Sequence, residues 1–351
     1  MKVSREQLLS LLDGVSPGLS NKDLIEQATC FAFLNGRVHS YNDETYCVAS
    51  HKFGKEFAGA VPAKPLLELL RKLPDDEIDI AMGESGLTIK GKGGRKGEIR
   101  CEAEVLLAID KLERPKSWTP LAEDFVEAVD LVQGCASRDG EISQVCIHVH
   151  PKWIEACDDV QLCRYNLKTG IKQAVLLRRE SVRHIVTLGM TEFAEGQSWF
   201  HFRNPDKLQL SCRRYLEDYP DWTDFLKVDG ESLDLPKGLK ETLERAVIFL
   251  DEPEEDARRV RVELMPGKFR VSGEGVHGKW SEPKKTNYTG RAMSFRASPT
   301  MLTEISQKYN ACEATEDRLK VDGGKWRFIA CLDKVESNGH AKDEGESSGE
   351  E

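Results

Sequence analysis

The sequence predicts an α+β protein of three repeated domains, each made of two helices on mostly antiparallel sheets. Apolar residues spaced at i, i+3 and i+4 mark helices at 4–15, 122–136 and 237–250, and a second set follows at 62–73, 178–188 and 298–309. Both sets recur at roughly 117 residues, a third of the 351-residue chain, and self-similarity at a fixed period marks repeated units. Between the helices, short stretches alternate polar and apolar residues and are punctuated by Gly, Pro, Asn and Asp.

In the first third, strands are expected at 36–41, 77–82 and 87–90. Helix 62–73 carries Leu66, Leu69, Leu70 and Leu73 on one side and Lys64, Glu68, Arg71 and Lys72 on the other. The second third reads as helix 122–136, strand 144–150, helix 178–188 and strand 207–212. The last third begins with helix 237–250, continues through strands 259–264 and 268–272, and closes on helix 298–309. Breaks fall in the Pro-containing polar stretch 113–119 and the acidic stretch 229–236, which gives domains 1–118, 119–232 and 233–336. Residues 337–351 hold no large apolar side chain and are expected to be a disordered acidic tail.

With 39% hydrophobic and 31% charged residues, the chain can build cores, which excludes a collagenous, mucin-like or wholly disordered protein. No apolar run approaches the roughly 20 residues that span a bilayer, and the N-terminus lacks the apolar core of a secretory signal. A cytoplasmic chain with no membrane partner is expected. Sixty acidic against fifty basic residues, net −10, argue against coating nucleic acid with the whole surface, but they allow a local basic lining. Ten cysteines without a CxxC pair read as free, mostly buried thiols in a reducing compartment.

Motifs for chemistry are sparse. The run 91–97, Gly-Lys-Gly-Gly-Arg-Lys-Gly, lacks the GxxxxGK[ST] frame and reads as a hairpin turn. Residues 273–278 match GxGxxG but lead into no amphipathic helix, so a pyrophosphate would find no helix N-terminus. Cys146, His148 and His150 alternate along one strand, a donor set that tetrahedral zinc accepts, and a zinc hydrolase is the enzymatic alternative. The acidic run 251–256 reads as a solvated loop, and no Ser/His/Asp or Cys/His arrangement carries a recognisable motif. The chain therefore calls for no catalytic residue, cofactor or metal, and it is read as a non-enzyme.

Basic residues gather on the second helix of the first two repeats. Lys64, Arg71 and Lys72 lie on 62–73, and Arg179 and Arg183 share a face of 178–188. The third repeat offers Lys237, Lys240 and Lys308. Helix 122–136, with Glu123, Asp124, Glu127 and Asp130, is acidic instead.

Three colinear segments resemble the sliding clamps of bacterial replicative DNA polymerases, the beta-subunit family. Residues 60–74, AVPAKPLLELLRKLP, followed by Glu77-Ile-Asp-Ile and a Lys/Gly hairpin, are similar to the end of that family's first domain. Residues 212–222, CRRYLEDYPDW, resemble the G-x-[FY]-P-D-[YF] close of its second. Residues 239–249, Tyr288-Thr-Gly and 295–305 resemble the helix, Y-x-G and F-N-x-x-Y-L elements of its third. The likeness extends over about residues 1–333 and agrees with the independent threefold period.

The resemblance implies the clamp fold: a head-to-tail homodimeric ring of six domains whose helices line a hole around double-stranded DNA, held without sequence preference. Placed on that lining are Lys22, Lys64, Arg71, Lys72, Arg178, Arg179, Arg183, Lys237, Lys240 and Lys308. It also implies short linear peptides of a DNA polymerase and clamp loader as partners, bound in an apolar cleft between the second and third domains. Asn166, Leu167, Lys168 and Thr169 stand where the family has T-D-G-H-R-L; Pro220, Asp224 and Phe225 form a second wall; Cys331 and Leu332 stand at the family's chain end. Asp224 replaces a usual basic residue, and the 164–169 turn keeps only the basic residue, as Lys168. These departures imply a divergent member, of the kind a phage or mobile element with its own partners would carry. A clamp-like interaction scaffold that encircles no DNA is the non-enzymatic alternative.

Overall fold

The structure, a computed structural model, describes residues 1–22, 24–83, 86–309 and 311–335. The expected acidic tail, 337–351, lies outside the described residues. The chain divides into two compact units, Met1–Asp221 and Trp222–Glu351.

The first unit opens with helix Arg5–Val15, started by Ser4, whose hydroxyl accepts from the Gln7 N–H at 3.3 Å. Capping of this kind satisfies one of the four orphan N–H groups of a helix start and contributes about 1 kcal/mol. The helix buries Leu8, Leu12 and Val15 and packs beside helix Ala63–Lys72, which buries Ala63, Leu66, Leu67 and Leu70. Leu67 is drawn into the core and Leu69 and Leu73 are left half-buried, so the apolar stripe is turned from the expected Leu66, Leu69, Leu70, Leu73. Each fully buried Leu contributes about 1.5–3 kcal/mol relative to exposure.

Two antiparallel sheets carry these helices. One runs Lys2–Ser4, Glu77–Met82, Gly86–Lys90, Lys96–Arg100. The 91–97 run is the hairpin turn between its last two strands, with Gly93 at φ 66°, where a side chain is strained. In the other, Thr45–Ser50 pairs with Gln209–Tyr215 from Gln209↔Val48 to Cys212↔Thr45. That pairing carries the sheet from the first third of the sequence into the second, which is why residues 1–221 behave as one body. Trp199–Arg203 also pairs with Gln209–Tyr215, then Glu192–Glu195 and Thr119–Pro120 follow outward.

Three expected elements differ. The helix at 178–188 is divided into Arg179–Val182 and His184–Thr187, because Val182, Ile185, Val186 and Thr187 are β-branched and weaken a helix this short. The strand expected from 144 starts at Cys146: residues 142–145 form a helical turn closed by a capping box between Glu141 and Gln144. Helix 122–136 shortens to Phe125–Val132 plus a 3₁₀ turn at Gln133–Cys135.

The second unit packs helix Leu239–Val247 against helix Pro299–Lys308 over two antiparallel sheets. One sheet is ordered Glu231–Asp234, Ala311–Ala314, Arg318–Asp322, Trp326–Cys331, the other Gly278–Lys285, Lys268–Gly275, Val260–Met265, Met293–Ala297, Asp333–Lys334. The GxGxxG run is the hairpin between Lys268–Gly275 and Gly278–Lys285. Its Gly273 lies so near the helix that a Cβ would meet the Ala246 carbonyl oxygen at 2.1 Å, so this glycine serves packing. No helix among the described residues is long and apolar enough to cross a membrane.

Candidate nucleic-acid and partner interfaces

An amphipathic helix offers charge to a ligand only where its cations are exposed and not already paired. On Ala63–Lys72 the apolar face holds the helix down, and Lys64 and Lys72 stand exposed with no ion pair among the described residues. Arg71 is bound to Asp13 of the neighbouring helix at 2.7 Å. Lys22 is exposed in the loop after the first helix, where the Ser20 hydroxyl accepts from its N–H at 3.0 Å. Arg178 closes strand Val175–Arg178 and reaches Glu44 at 3.4 Å.

The break in the 178–188 helix separates its arginines. Arg179 donates to the Ala136 carbonyl at 2.7 Å and is half-buried, whereas Arg183 is exposed and pairs with Glu180 at 3.0 Å. The two therefore present no common free surface. In the second unit, Lys237 and Lys308 are exposed and unpaired among the described residues, and Lys240 lies 3.9 Å from Glu244 on its own helix. Among the described residues, five of the ten expected DNA contacts, all lysines, have no ion pair; four others are offset by a carboxylate and one is tied to a carbonyl. Exposed pairs of this kind are weak, about 0–1 kcal/mol, and a phosphate can displace them.

The expected partner residues lie in both units. In the first, Asn166 ends strand Gln161–Asn166 opposite Trp153, and the Leu167 N–H donates to the Lys152 carbonyl at 3.1 Å. Leu167 is half-buried and Lys168 exposed. Thr169 is buried, its hydroxyl donating to the His150 carbonyl at 2.9 Å, so it shapes the turn and leaves its neighbours to face a ligand. Pro220 is exposed. In the second unit, the half-buried Phe225 ring lies 6.0 Å from Trp222 and carries the Arg318 guanidinium 4.7 Å from its centre. Cys331 is exposed directly across from Arg318 in the sheet, and Leu332, 5% exposed, donates its N–H to the Asp317 carbonyl at 2.8 Å. Asp224 is bound to Lys227 at 2.7 Å. Arg318 thus links Phe225, under its guanidinium, to Cys331, opposite it in the sheet, while Leu332 is buried.

No family model and no curated protein matches the sequence. Solved structures do. A DNA polymerase III beta subunit from Thermotoga maritima superposes with a TM-score of 0.80 at 13% identity, covering 95% of this chain and 99% of that one. A sliding clamp from Bartonella birtlesii, bound to griselimycin, gives 0.80 at 15% over the same shares. The beta subunit of Pseudomonas aeruginosa gives 0.77 at 17%, covering 95% of this chain and 100% of that one. This chain has the sliding-clamp fold.

Several residues that hold the clamp fold together were not legible from pattern. Glu155, 1% exposed, accepts from Arg164 Nε at 2.6 Å and Trp153 Nε1 at 2.8 Å and lies 2.9 Å from His148 Nδ1. His148 also lies against the Tyr219 ring, and His150 stacks on Trp153 at 3.6 Å between ring centres. The alternating Cys146, His148 and His150 are engaged here with aromatic rings and a carboxylate. Burial pushes the Cys146 thiol up to about 12, so it carries no thiolate at neutral pH. Glu44 accepts from the Tyr215 hydroxyl at 2.5 Å as well as from Arg178, which ties a turn near residue 44 to strand Gln209–Tyr215. Period-two alternation could have flagged Glu155 as an inward-facing charge, but its partners His148 and Arg164 sit on two other strands.

Proposed function

We propose that this chain is a DNA sliding clamp: a head-to-tail homodimer that encircles duplex DNA without sequence preference and tethers a polymerase and a clamp loader through short linear peptides. The observation that carries the reading is the end-to-end likeness to beta-subunit clamps, 95% of this chain against 99% of the Thermotoga one. On this reading the chain comprises three clamp domains, 1–118, 119–232 and 233–336, works in the cytoplasm on DNA, and is not an enzyme. A topological link needs no tight contact, so a chain of net charge −10 can slide while a few lysines touch phosphates. Lys22, Lys64 and Lys72 in one unit, and Lys237 and Lys308 in the other, suit that role because they are exposed and make no ion pair among the described residues.

Two edge strands support the dimer. Among the described residues, Lys96–Arg100 has a sheet neighbour only on its Gly86–Lys90 side, and Gly278–Lys285 only on its Lys268–Gly275 side. Unpaired edges invite a further strand, and a head-to-tail contact between copies would cover both. Ile248 and Val276 of the second unit, 72% and 83% exposed, add apolar surface for such a contact. For the partner peptide, Phe225 beside Arg318 offers an apolar seat with a cation at its rim. The interaction scaffold that encircles no DNA is favoured by the carboxylates that offset Arg71, Arg178, Arg183 and Lys240. Mass in solution and retention on circular DNA separate the two: a clamp is a dimer of twice 39.5 kDa that stays on a closed circle.

A further inference from the structure

The first unit holds a cavity of about 580 Å³ that shares no residue with the surfaces above. Its floor is the sheet face where His39, Val48, Gln209 and Arg203 stand in one row across four strands, and its wall is the segment 109–118 that crosses over that face. The volume lies in the 300–1,000 Å³ range of small-molecule sites.

Two cations in the lining have no visible task. Arg37 and Arg114 make neither a hydrogen bond nor an ion pair from their guanidinium groups among the described residues, although sixteen other described arginines do. Both line the same cavity as Tyr46, whose hydroxyl is pushed up by burial and drawn back down by the charges of Arg37 and Arg114. Lys207, 66% exposed and 4.0 Å from Glu192, adds a third cation at the rim. The acidic residues facing them are Asp110 and Glu113, and the Glu113 carboxylate is already capped by the N–H groups of Gln197, Ser198 and Trp199 at 2.7, 2.5 and 2.9 Å. An unmatched pair of forked guanidinium groups suits a phosphate, which accepts two parallel hydrogen bonds from each.

The same cavity is lined by flat rings. Trp118 is half-buried and held in place by the Arg203 guanidinium 4.3 Å from its centre, with Arg203 itself locked to Glu192 at 2.7 Å. Tyr46 is fixed by His39 Nδ1 at 2.9 Å. Rigid rings next to free guanidinium groups are what a base and its phosphate require together.

We propose that this cavity binds a nucleoside phosphate, with the phosphate on Arg37 and Arg114 and the base against Trp118 and Tyr46. The nucleotide could be free or one unit of a single strand, and the chemistry is shared. The inference does not depend on DNA encirclement.

Isothermal titration of the full chain with dATP, inorganic pyrophosphate and a short oligothymidylate tests it. dATP is expected to bind saturably, one per chain, with pyrophosphate at least tenfold weaker because it lacks a base. The double variant R37E/R114E should lose tenfold or more, and Trp118→Leu severalfold. Both arginines are exposed, so the fold survives their reversal, which an unchanged melting curve would verify. Oligothymidylate that displaces dATP with the same sensitivity to R37E/R114E supports the site and assigns it to a single strand. No saturable heat through millimolar dATP, affinity unchanged in R37E/R114E, or pyrophosphate binding as tightly as dATP would each overturn the proposal.

Discussion

The two units solve the problem of holding a sheet in register differently. Among the described residues, every buried polar or charged side chain except Thr242 lies in the first unit, including His39, Asp75, Glu155, Arg164 and His201. The second unit buries Val260, Val262, Leu264, Phe269, Val271 and Phe295 and keeps its charges outside, as in the Glu282 cluster with Arg245, Lys284 and Thr242. Buried polar groups fix partners uniquely but make each partner costly to lose, whereas an apolar core with surface ion pairs is tolerant. The first unit should therefore be the brittle one.

The largest expected effect breaks that brittleness directly. Glu155→Ala leaves the Arg164 guanidinium, 7% exposed, without its buried carboxylate, and loss of one partner of such a pair costs about 3–5 kcal/mol. Glu282→Ala, which removes an outer carboxylate, should cost about 0–1 kcal/mol. Urea denaturation of both variants measures the contrast, and equal losses would refute it.

Acid should find the same weak unit. Burial lowers His39, His184 and His201 to about 4 from the ordinary 6.5, so they stay neutral in the fold while the unfolded chain protonates first. Unfolded chains then bind more protons between pH 6.5 and 4, and stability falls as pH falls through that window. The second unit's described histidine, His277, is exposed, and burial pushes Glu282 up less than Lys284, Arg245 and Thr242 hold it down, to about 2. That carboxylate's contribution is present above its unfolded value and is lost only as pH drops toward 2. Hydrogen exchange between pH 7 and 4 should show residues 1–221 losing protection before residues 222–335.

Smaller effects sharpen the comparison at the surfaces. Phe225→Ala should weaken a clamp-binding peptide about tenfold, or roughly 1.4 kcal/mol, while leaving the mass in solution unchanged. Because Cys331 is exposed across from Arg318, bound peptide should also slow its alkylation. Reversing Lys64 and Lys72 to Glu should shorten DNA retention more than Arg179→Glu, whose guanidinium is committed to the Ala136 carbonyl. With few phosphates neutralised, the log K versus log salt slope should have a magnitude of about 2–4.

Much of the architecture was legible in the sequence. Six helical stripes at a fixed period, and strands such as Glu77–Met82 with strict alternation, specify α+β repeats because periodicity is a local property. The divided helix after Arg178 was visible only as β-branched content. The pairing of Thr45–Ser50 with Gln209–Tyr215 was not legible at all, since strand partners some 160 residues apart leave no local mark. For the surfaces, sequence could name cations but not their partners: Lys64 and Arg71 look alike until Asp13 is seen beside one of them.

The central claim is that the dimer encircles DNA, and topology tests it most directly. The protein is assembled on nicked circular duplex by a clamp loader, filtered from free protein at moderate salt, and the circle is then cut once. A sliding clamp stays with the intact circle and runs off when the DNA is made linear. Protein that leaves the circle and the linear form at the same rate, or a chain that remains monomeric on DNA, would contradict the account.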